Sequence, residues 1–398
     1  MNILQICNKV PFPPKDGGCI AMNNLTQGLT DEGHIVKVLS VNTLKHFIDI
    51  QKLPPDYRSK TNIEAVFIDT EIKIADAFLN LFTNRSYNIE RFYSKVFENK
   101  LVAILKSERF DIVQLEGLYV SMYVDIIRKY SRAKIVLRAH NIEYEIWERA
   151  ALLAKNPIKR AYLNLLTKRL KHYEISALHT FDAVASITKK DEKHYKDAGF
   201  VKAIETFPFG IDLKKSFENN SNNEEFPSIF HIGAMDWQPN IEGVNWFLNN
   251  VWGKLHLKHP DLKFYLAGRN MSAELKQLKM PNVIINGEVE NAGEFIQSKG
   301  IMIVPLLSGG GMRVKIIEGM ALGKTIVTTS IGAEGIDYEN NINCIQADDA
   351  DEFAEAVSKC ISDKKFYNEI GKNAKILALK QYNNADICKR LIKFYKSL

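Results

Sequence analysis

Short apolar runs alternate with longer stretches of helical periodicity along most of the chain. Runs such as 2–7 and 35–41 have the length of a buried strand, and the longer stretches carry their apolar residues at helical spacing. Strands that alternate with helices favour parallel sheets built from βαβ units. A polar, asparagine-rich stretch at 214–227 interrupts the pattern, which then begins again. We therefore predict an α/β protein of two domains.

The predicted domain boundaries follow that interruption. We assign 1–212 to a first α/β domain, 213–227 to a linker and 228–382 to a second α/β domain. The final stretch, 383–398, has the pattern of an amphipathic, cationic helix. A chain of 398 residues is long enough for two domains of this size.

The composition is ordinary for a soluble globular protein, with 46% hydrophobic and 25% charged residues. No apolar run approaches the roughly 18 residues that indicate a membrane-spanning helix. The N-terminus enters a strand-like run without the regions of a signal peptide, so we expect the protein in the cytoplasm. The net charge of +6 suits anionic nucleotides or a lipid surface, and it is too small to indicate nucleic-acid binding.

Neither the cysteines nor the acidic residues indicate a metal site. Asp349 and Asp351 formally spell a DxD motif, but they begin a helical stretch, where carboxylates cap the helix and interact with its dipole. The cysteines lack metal-binding or redox spacing, and we expect them to be reduced. The five cysteines are Cys7, Cys19, Cys344, Cys360 and Cys388.

The stretch 300–335 has the pattern of a strand, a glycine-rich turn, a helix and a second strand. Three consecutive glycines in the turn let the backbone approach a ligand and direct its N–H groups inward. The next helix presents its positive dipole end together with Arg313 and Lys315, and Glu318 shares a helix face with Lys315. Backbone donors, two cations and one carboxylate suit a nucleotide diphosphate. The alternative interpretation is an ordinary βα turn with a solvated basic first turn.

The segment SGGGMRVKIIEGMALGKTIVTTSIGAEGI resembles the donor-binding segment of retaining glycosyltransferases of family 4, which have the GT-B fold. The similarity is closest to the bacterial surface-polysaccharide branch. The resemblance implies two Rossmann-like parallel-sheet domains facing each other across a cleft, with the donor on the second and the acceptor on the first. It also implies that the C-terminal helix crosses back to the first domain. Net retention at the anomeric carbon, without a metal or other cofactor, is the implied chemistry.

By this resemblance, Glu318 binds the nucleotide ribose, while Arg313 and Lys315 face the diphosphate and stabilise the charge of the leaving group. Many members carry a second glutamate eight residues earlier, where this chain has Gly310, and the choice of donor is therefore open. The predicted donor-binding residues are Gly309, Gly310, Gly311, Met312, Glu318, Arg269 and Val289.

In the first domain, polar residues follow predicted strands at the edge where open α/β sheets bind ligands. His140 follows the strand 134–139 and opens the sequence HNIE, which resembles a family segment that lies near the transferred sugar. The alternative is that Asn141 caps a helix beside a structural histidine. The predicted catalytic residues are His140, Arg313 and Lys315. The predicted acceptor-side residues are Gly17, Gly18, Glu116 and Asn141.

Two stretches allow a structural or a membrane interpretation. Residues 73–106 are predicted to be mostly helical, and 144–178 to be helical and basic. We favour core packing for the first and a solvated face for the second, with contact to anionic lipid or a lipid-linked acceptor as the alternative. The apolar residues of the first stretch are Phe78, Leu79, Leu81, Phe82, Phe92, Tyr93, Val96, Phe97, Leu101 and Leu105.

Together with the resemblance, these patterns predict a retaining glycosyltransferase that acts in cell-surface polysaccharide synthesis. It would move a sugar from a nucleotide diphosphate sugar to a glycan or lipid-linked acceptor, in the cytoplasm or at the inner face of the membrane. Two other classes stay open, a nucleotide-sugar epimerase of the same fold and a non-catalytic nucleotide-sugar-binding protein. A nicotinamide dehydrogenase is disfavoured because no GxGxxG follows the first strand of either half.

Overall fold

The computed structural model describes residues 1–212 and 224–398, which form two compact units. The first unit comprises Met1–Gly210 and Asn384–Leu398, and the second comprises Ile211–Asn383. Each unit is built on one parallel sheet whose strands are connected through helices. The predicted α/β architecture with two Rossmann-like sheets is therefore confirmed.

The sheet of the first unit has seven strands in the order β3-β2-β1-β4-β5-β6-β7. The order reverses between β1 and β4, and Gln5 pairs with Gln114 in register across that boundary. Strand β4 is buried along its whole length, as expected for a parallel sheet covered on both faces. The strands are β1 (Asn2–Cys7), β2 (Ile35–Asn42), β3 (Glu64–Phe67), β4 (Ile112–Glu116), β5 (Lys134–Ala139), β6 (Ala183–Ser186) and β7 (Ala203–Thr206).

The helices of the first unit are shorter and more numerous than predicted. The stretch predicted as one helix over 144–178 is two helices, because Pro157 begins a new helix and Asn156 caps it by accepting from the N–H groups of Ile158 and Lys159. The helices are α1 (Gly17–Asp31), α2 (Pro55–Thr61), α3 (Ile74–Asn80), α4 (Tyr87–Glu90), α5 (Lys95–Ser107), α6 (Val124–Tyr130), α7 (Glu143–Leu153), α8 (Pro157–Leu178) and α9 (Lys189–Asp197).

The stretch 73–106 is divided among α3, α4 and α5, and its apolar side chains have two different environments. One group packs in the core of the first unit, while the other is exposed, so the prediction of core packing holds for part of the stretch. The buried group is Phe92, Phe97, Leu101 and Leu105. The exposed group is Leu79, Leu81, Phe82, Tyr93 and Val96. The side chain of Phe78 lies outside the part that the structure describes.

The sheet of the second unit has six parallel strands in the order β10-β9-β8-β11-β12-β13 and reverses between β8 and β11. Its first strand begins at Glu225, inside the stretch predicted as linker, and 213–223 lie outside the described residues. The strands are β8 (Glu225–Ile232), β9 (Lys263–Ala267), β10 (Val283–Gly287), β11 (Lys299–Val304), β12 (Ile326–Thr328) and β13 (Ile345–Gln346).

Helices α10 and α11 of the second unit are joined by a π-helical turn, Leu248–Trp252, which buries Trp252 in the core. The helices are α10 (Gln238–Phe247), α11 (Gly253–Lys258), α12 (Ala273–Lys276), α13 (Ala292–Gln297), α14 (Val314–Ala321), α15 (Ala350–Ser362) and α16 (Lys364–Gln381). No helix within 1–212 or 224–398 is both long and apolar enough to cross a membrane.

The C-terminal helix, α17 (Asn384–Lys396), belongs to the first unit and packs against α1. The Asn384 side chain donates a 2.6 Å hydrogen bond to the carbonyl of Asn24. A Cβ atom placed on Gly28 of α1 would lie 2.4 Å from Cys388 Sγ, so glycine permits the close approach of the two helices. The buried face of α17 comprises Ile387, Cys388, Leu391, Ile392, Phe394 and Tyr395.

We expect Gly28→Ala to destabilise the first unit by about 1–3 kcal/mol, because the added methyl group overpacks the contact with α17. Hydrogen exchange should become faster across 384–396. Gly253→Ala is the matched control, since this glycine lies at an exposed helical position with open space around its Cβ direction. The control should be stabilised by up to about 1 kcal/mol. Equal melting temperatures for the two variants would contradict this view of the α1–α17 contact.

Candidate functional site

The glycine-rich turn follows β11 and leads into α14, at the carboxyl end of the second sheet. Gly309 and Gly311 have φ values of 104° and 80°, a backbone region that side-chain-bearing residues seldom adopt. Arg313 occupies the N-cap position of α14 rather than its first turn. Its guanidinium donates a hydrogen bond to the carbonyl of Gly310 and lies 5.0 Å from the ring centre of Trp237. Arg313 therefore holds the turn against the loop that follows β8.

Lys315, in the first turn of α14, reaches across to the end of β8. Its ammonium lies 2.9 Å from Asn240 Oδ1, 3.2 Å from the carbonyl oxygen of Ile232 and 3.3 Å from His231 Nε2. Three acceptors match the three N–H bonds of an ammonium. Burial, and secondly the charge of Arg313, lower the pKa of Lys315 to about 7.

His231 is fully buried on β8, and its two ring nitrogens have different roles. Nδ1 lies 2.9 Å from the carbonyl oxygen of Ile303. Because a carbonyl only accepts, Nδ1 carries the proton. Burial and the neighbouring Lys315 hold the pKa of His231 well below its usual range, so the ring is neutral. Nε2 is then an acceptor for the Lys315 ammonium.

Glu318 lies one helical turn after Lys315 and is half-buried. No residue within the described ranges donates a hydrogen bond to its carboxylate. Burial raises the pKa of Glu318 to about 7. A carboxylate that is desolvated but unpartnered is suited to accept hydrogen bonds from a ligand.

The other predicted donor-binding residues lie near the ends of neighbouring strands or in the glycine-rich turn. Met312 is buried, and Arg269 and Val289 are half-buried in the segments that follow β9 and β10. The Arg269 carbonyl accepts from the N–H of Met235, which ties this segment to the β8 loop. Gly268 allows that approach, because a Cβ atom there would lie 1.8 Å from the carbonyl oxygen of Gly233. Four adjacent strand ends therefore meet at this edge.

In the first unit, His140 and Glu116 form a hydrogen-bonded pair at the ends of β5 and β4. His140 Nε2 lies 2.6 Å from Glu116 Oε2, and the carboxylate is almost fully buried. Burial alone would raise the pKa of Glu116, but hydrogen bonds from His140 and Gln5, with the charge of Arg138, hold it below its ordinary value. The imidazole remains 12% exposed and is therefore the part of the pair that a ligand can reach.

Two buried glutamines support that pair from the interior of the sheet. Gln5 Nε2 donates a 2.5 Å hydrogen bond to Glu116 Oε1, and Gln114 Nε2 donates to the same oxygen. The carbonyl oxygens of the two glutamines accept from Thr26 of α1 and from Tyr395 of α17, respectively. The pair is thus anchored to two helices of the first unit.

The segment after His140 is held by a second buried carboxylate. Glu174 of α8 accepts 3.1 Å hydrogen bonds from the N–H groups of Glu143 and Tyr144, and it caps α7 from a distance. The N-cap position itself falls on Ile142, so Asn141 is not the capping residue of this helix. Burial, and secondly the charge of Glu143, raise the pKa of Glu174 to about 8.

Gly17 and Gly18 are the first two residues of α1. Asp16 caps the helix by accepting from the N–H of Cys19, and it forms a 2.7 Å ion pair with Lys9. Burial would raise the pKa of Asp16, but Lys9 and the Cys19 N–H lower it to about 2. The positive end of α1 is therefore occupied by a carboxylate of the chain itself.

The DxD sequence has the predicted structural role. Asp349 is the N-cap of α15 and accepts from the N–H groups of Asp351 and Glu352 at 2.9 Å. Across 1–212 and 224–398, no cluster of three or more histidine, cysteine or acidic side chains is arranged to hold a metal ion.

Several residues of both sites were missed from the sequence. His231 and Asn240 hold Lys315, while Gln5, Gln114 and Tyr395 support Glu116. For the glutamines a signal existed. Each is a polar residue inside an apolar strand, two positions before the strand end, and the two are paired in register.

Part of the second unit matches a known protein family. Residues 226–363 match the family Glycosyl transferases group 1. Over 404 aligned residues, the chain is 24% identical to an uncharacterized 44.6 kDa protein in the cps region of Klebsiella pneumoniae, with 98% of this chain and 99% of that protein covered. The predicted class of enzyme, a glycosyltransferase, is confirmed.

Solved structures show the same fold. The crystal structure of Anabaena Alr3699/HepE in complex with UDP covers 100% of both chains, with a TM-score of 0.67 and 14% identity. Sucrose-phosphate synthase from Thermosynechococcus elongatus covers 100% of this chain and 99% of its own, with a TM-score of 0.70 and 14% identity. The glycosyltransferase has the predicted GT-B fold.

Proposed function

We propose that this glycosyltransferase transfers a sugar, with retention at the anomeric carbon, from a nucleotide diphosphate sugar to a glycan or lipid-linked acceptor. One observation carries the proposal, the glycine-rich turn at the β8–β11 reversal with Lys315 and Glu318 on the helix that follows it. Ligands of open parallel sheets bind at such reversals. UDP is present in the solved HepE structure, which supports a uridine nucleotide as the first donor to test.

Each charged group of the donor site has a separate proposed role. The N–H groups of Gly309, Gly310 and Gly311 and the start of α14 receive the diphosphate. Lys315 and Arg313 stabilise the charge that collects on the diphosphate as the bond to the sugar breaks. Lys315 must exchange at least one of its three present acceptors for a phosphate oxygen. Glu318 accepts from the ribose hydroxyls.

The first unit supplies the acceptor-side groups. His140 contacts the transferred sugar, as the family resemblance implies, and Glu116 orients the imidazole. Gly17, Gly18 and Asn141 complete the assigned acceptor side. We propose that transfer requires no metal ion, since Arg313, Lys315 and the helix start supply the positive charge. The Klebsiella pneumoniae relative is a protein of a cps (capsule) region, which supports a role in surface polysaccharide synthesis.

A thermal-shift panel with UDP, GDP, ADP and their sugars tests the function. A nucleotide at 100 times its dissociation constant should stabilise the protein by about 2.7 kcal/mol. Turnover of the stabilising sugar nucleotide should then require an acceptor. Epimerised sugar without an acceptor would identify an epimerase, and binding without turnover would identify a non-catalytic binding protein.

Glu318→Gln should weaken binding of the nucleoside diphosphate by about 1.5–3 kcal/mol, because the ribose hydroxyls lose a charged acceptor. It should also change the protons exchanged on binding. Near pH 7 the diphosphate favours the charged form of Lys315, which takes up a proton, whereas ribose hydroxyls favour ionised Glu318, which releases one. Titration calorimetry in buffers of different ionisation enthalpy should therefore show greater proton uptake for Glu318→Gln than for the parent protein.

Lys315→Met is the matched neutral variant and should shift the exchange towards proton release. Protons released by the nucleotide itself contribute equally to both variants, so the difference between them isolates the two side chains. Identical proton exchange and affinity in the parent and both variants would remove Lys315 and Glu318 from the donor site.

His140→Ala should lower kcat by about 10²-fold, the usual loss for one positioned polar group at a reacting centre, with little change in nucleotide affinity. Steady-state kinetics and nucleotide titration measure the two effects separately. His172→Ala, at an exposed position of α8 in the same unit, should change neither. An unaltered kcat in His140→Ala would return His140 to a structural role.

We further propose that the turn between α7 and α8 contacts the inner face of a membrane from the cytoplasm. Leu152, Leu153 and Ile158 are 73%, 63% and 80% exposed, and Lys155 and Lys159 are exposed in the same short segment. Apolar side chains beside cations suit the interface of an anionic bilayer.

Co-sedimentation with anionic vesicles should detect that contact, and neutral vesicles should bind less, because each basic residue near an anionic surface contributes about 1 kcal/mol. Serine at 152, 153 and 158 should reduce binding strongly. Leu257→Ser changes an 85% exposed leucine of the second unit and should have no effect. Equal binding by all three proteins would exclude this turn as the membrane contact.

A further inference from the structure

Glu116 is the acceptor in its hydrogen bonds with Gln5, Gln114 and His140. An ionised carboxylate only accepts, so each neighbour must present a hydrogen atom to it. Gln5 and Gln114 therefore turn their NH₂ groups to Glu116 Oε1. His140 presents Nε2–H to Oε2 at 2.6 Å. The direction of every bond follows from the charge of one group.

The orientation of the two glutamines in turn requires the hydroxyl groups of Thr26 and Tyr395 to act as donors. With its NH₂ group on Glu116, each glutamine leaves a carbonyl oxygen that can only accept. The Thr26 hydroxyl lies 2.6 Å from the carbonyl oxygen of Gln5, and the Tyr395 hydroxyl donates to that of Gln114. Tyr395 is 3% exposed and lies near the end of α17. The last helix of the chain is thus joined to His140 through two side chains.

We infer that Glu116 fixes His140 with its proton on Nε2, that the free Nδ1 accepts a hydrogen bond from a hydroxyl group of the transferred sugar, and that Tyr395 positions this assembly through Gln114. No hydrogen bond to Nδ1 is made by any residue in the part of the chain that the structure describes. The sugar contact rests on the proposed function, whereas the position of the proton does not.

Glu116 fixes the tautomer of His140 because a carboxylate buried inside a sheet needs hydrogen-bond donors. Removing an ion from water is costly unless its lone pairs are occupied by donors. The two amide groups occupy one oxygen of Glu116, and the imidazole N–H occupies the other. If His140 placed its proton on Nδ1 instead, Nε2 and Glu116 Oε2 would face each other as two acceptors at 2.6 Å. The network therefore selects one of the two neutral tautomers.

Nuclear magnetic resonance of the full chain with ¹⁵N-labelled histidine reads the tautomer directly. The chain has nine histidines, and subtracting the spectrum of His140→Ala identifies the signals of residue 140. In buffer above the usual titration range of imidazole, we expect the proton on Nε2 and a bare Nδ1. A proton on Nδ1, alone or in addition to Nε2, would overturn the inference.

Glu116→Gln should reverse the tautomer of His140. The amide oxygen at 116 can accept from Gln5 and Gln114, and the new NH₂ group then faces Nε2, which must become the acceptor. The proton of His140 should move to Nδ1, and Nδ1 would donate where it formerly accepted. An unchanged tautomer in a folded Glu116→Gln protein would show that Glu116 does not determine it.

Tyr395→Phe tests the outer link without changing a charge. The Gln114 carbonyl loses its donor, so kcat should fall roughly two- to tenfold, the range expected for one neutral hydrogen bond. The nucleotide dissociation constant should stay the same, and the His140 signals should shift. Tyr382→Phe is the matched control, since it removes a buried hydroxyl in the second unit, where that hydroxyl accepts from the N–H of Asp337. His140 signals that move equally in both variants, or in neither, would remove Tyr395 from the assembly.

These readouts separate the inference from the proposed function. The expected tautomer with no transfer activity on any sugar nucleotide would leave the proton position established and refute the sugar contact. Full activity with the proton on Nδ1 would support the transferase and refute the role assigned to Glu116.

Discussion

Each parallel sheet reverses its strand order once, beside its own first strand, and the positions of the functional side chains follow from that reversal. In the first unit it lies between β1 and β4, and in the second between β8 and β11. Consecutive connections leave the sheet in opposite directions there, so the strand ends between them stay open to ligands. Glu116 ends β4, and the glycine-rich turn follows β11. The two sites are thus topologically equivalent, although their side chains differ.

The site in the first unit buries a negative charge, on Glu116, and the site in the second unit buries a positive charge, on Lys315. Glu116 is an anion among donors, and its pKa stays below the ordinary value because hydrogen bonds offset desolvation. Lys315 is a cation among neutral acceptors near a second cation, Arg313, and its pKa falls to about 7 because no described carboxylate offsets desolvation. A carboxylate held by neutral hydrogen-bond donors suits a positioning role, whereas a buried cation with no compensating carboxylate among the described residues suits the binding of an anionic ligand. The difference in pKa therefore matches the difference in proposed role.

The pattern of apolar runs was sufficient to predict two parallel sheets, because buried parallel strands must be apolar over several consecutive residues. It also located His140 and Glu116 at strand ends. The pattern could not show that His140 and Glu116 are in contact, because they are 24 positions apart and their contact depends on which strands are neighbours. The break at Pro157 was readable from local chemistry and was missed because the apolar pattern continued across it. The pattern also could not show that Arg313 is the N-cap of α14, since helix ends depend on backbone geometry that periodicity does not resolve.

Two histidines at the two reversals show why side-chain chemistry needs the fold as well as the motif. The His231 proton is on Nδ1, because a main-chain carbonyl of the neighbouring strand can only accept, and Nε2 is left for Lys315. At His140 the carboxylate of Glu116 faces Nε2, and the same rule assigns the proton there and frees Nδ1. The residue type is the same, yet the acceptor that the neighbouring strand places beside each ring gives opposite tautomers. The hydrogen-bonding partner, rather than the histidine, determines which nitrogen remains for a ligand or a cation.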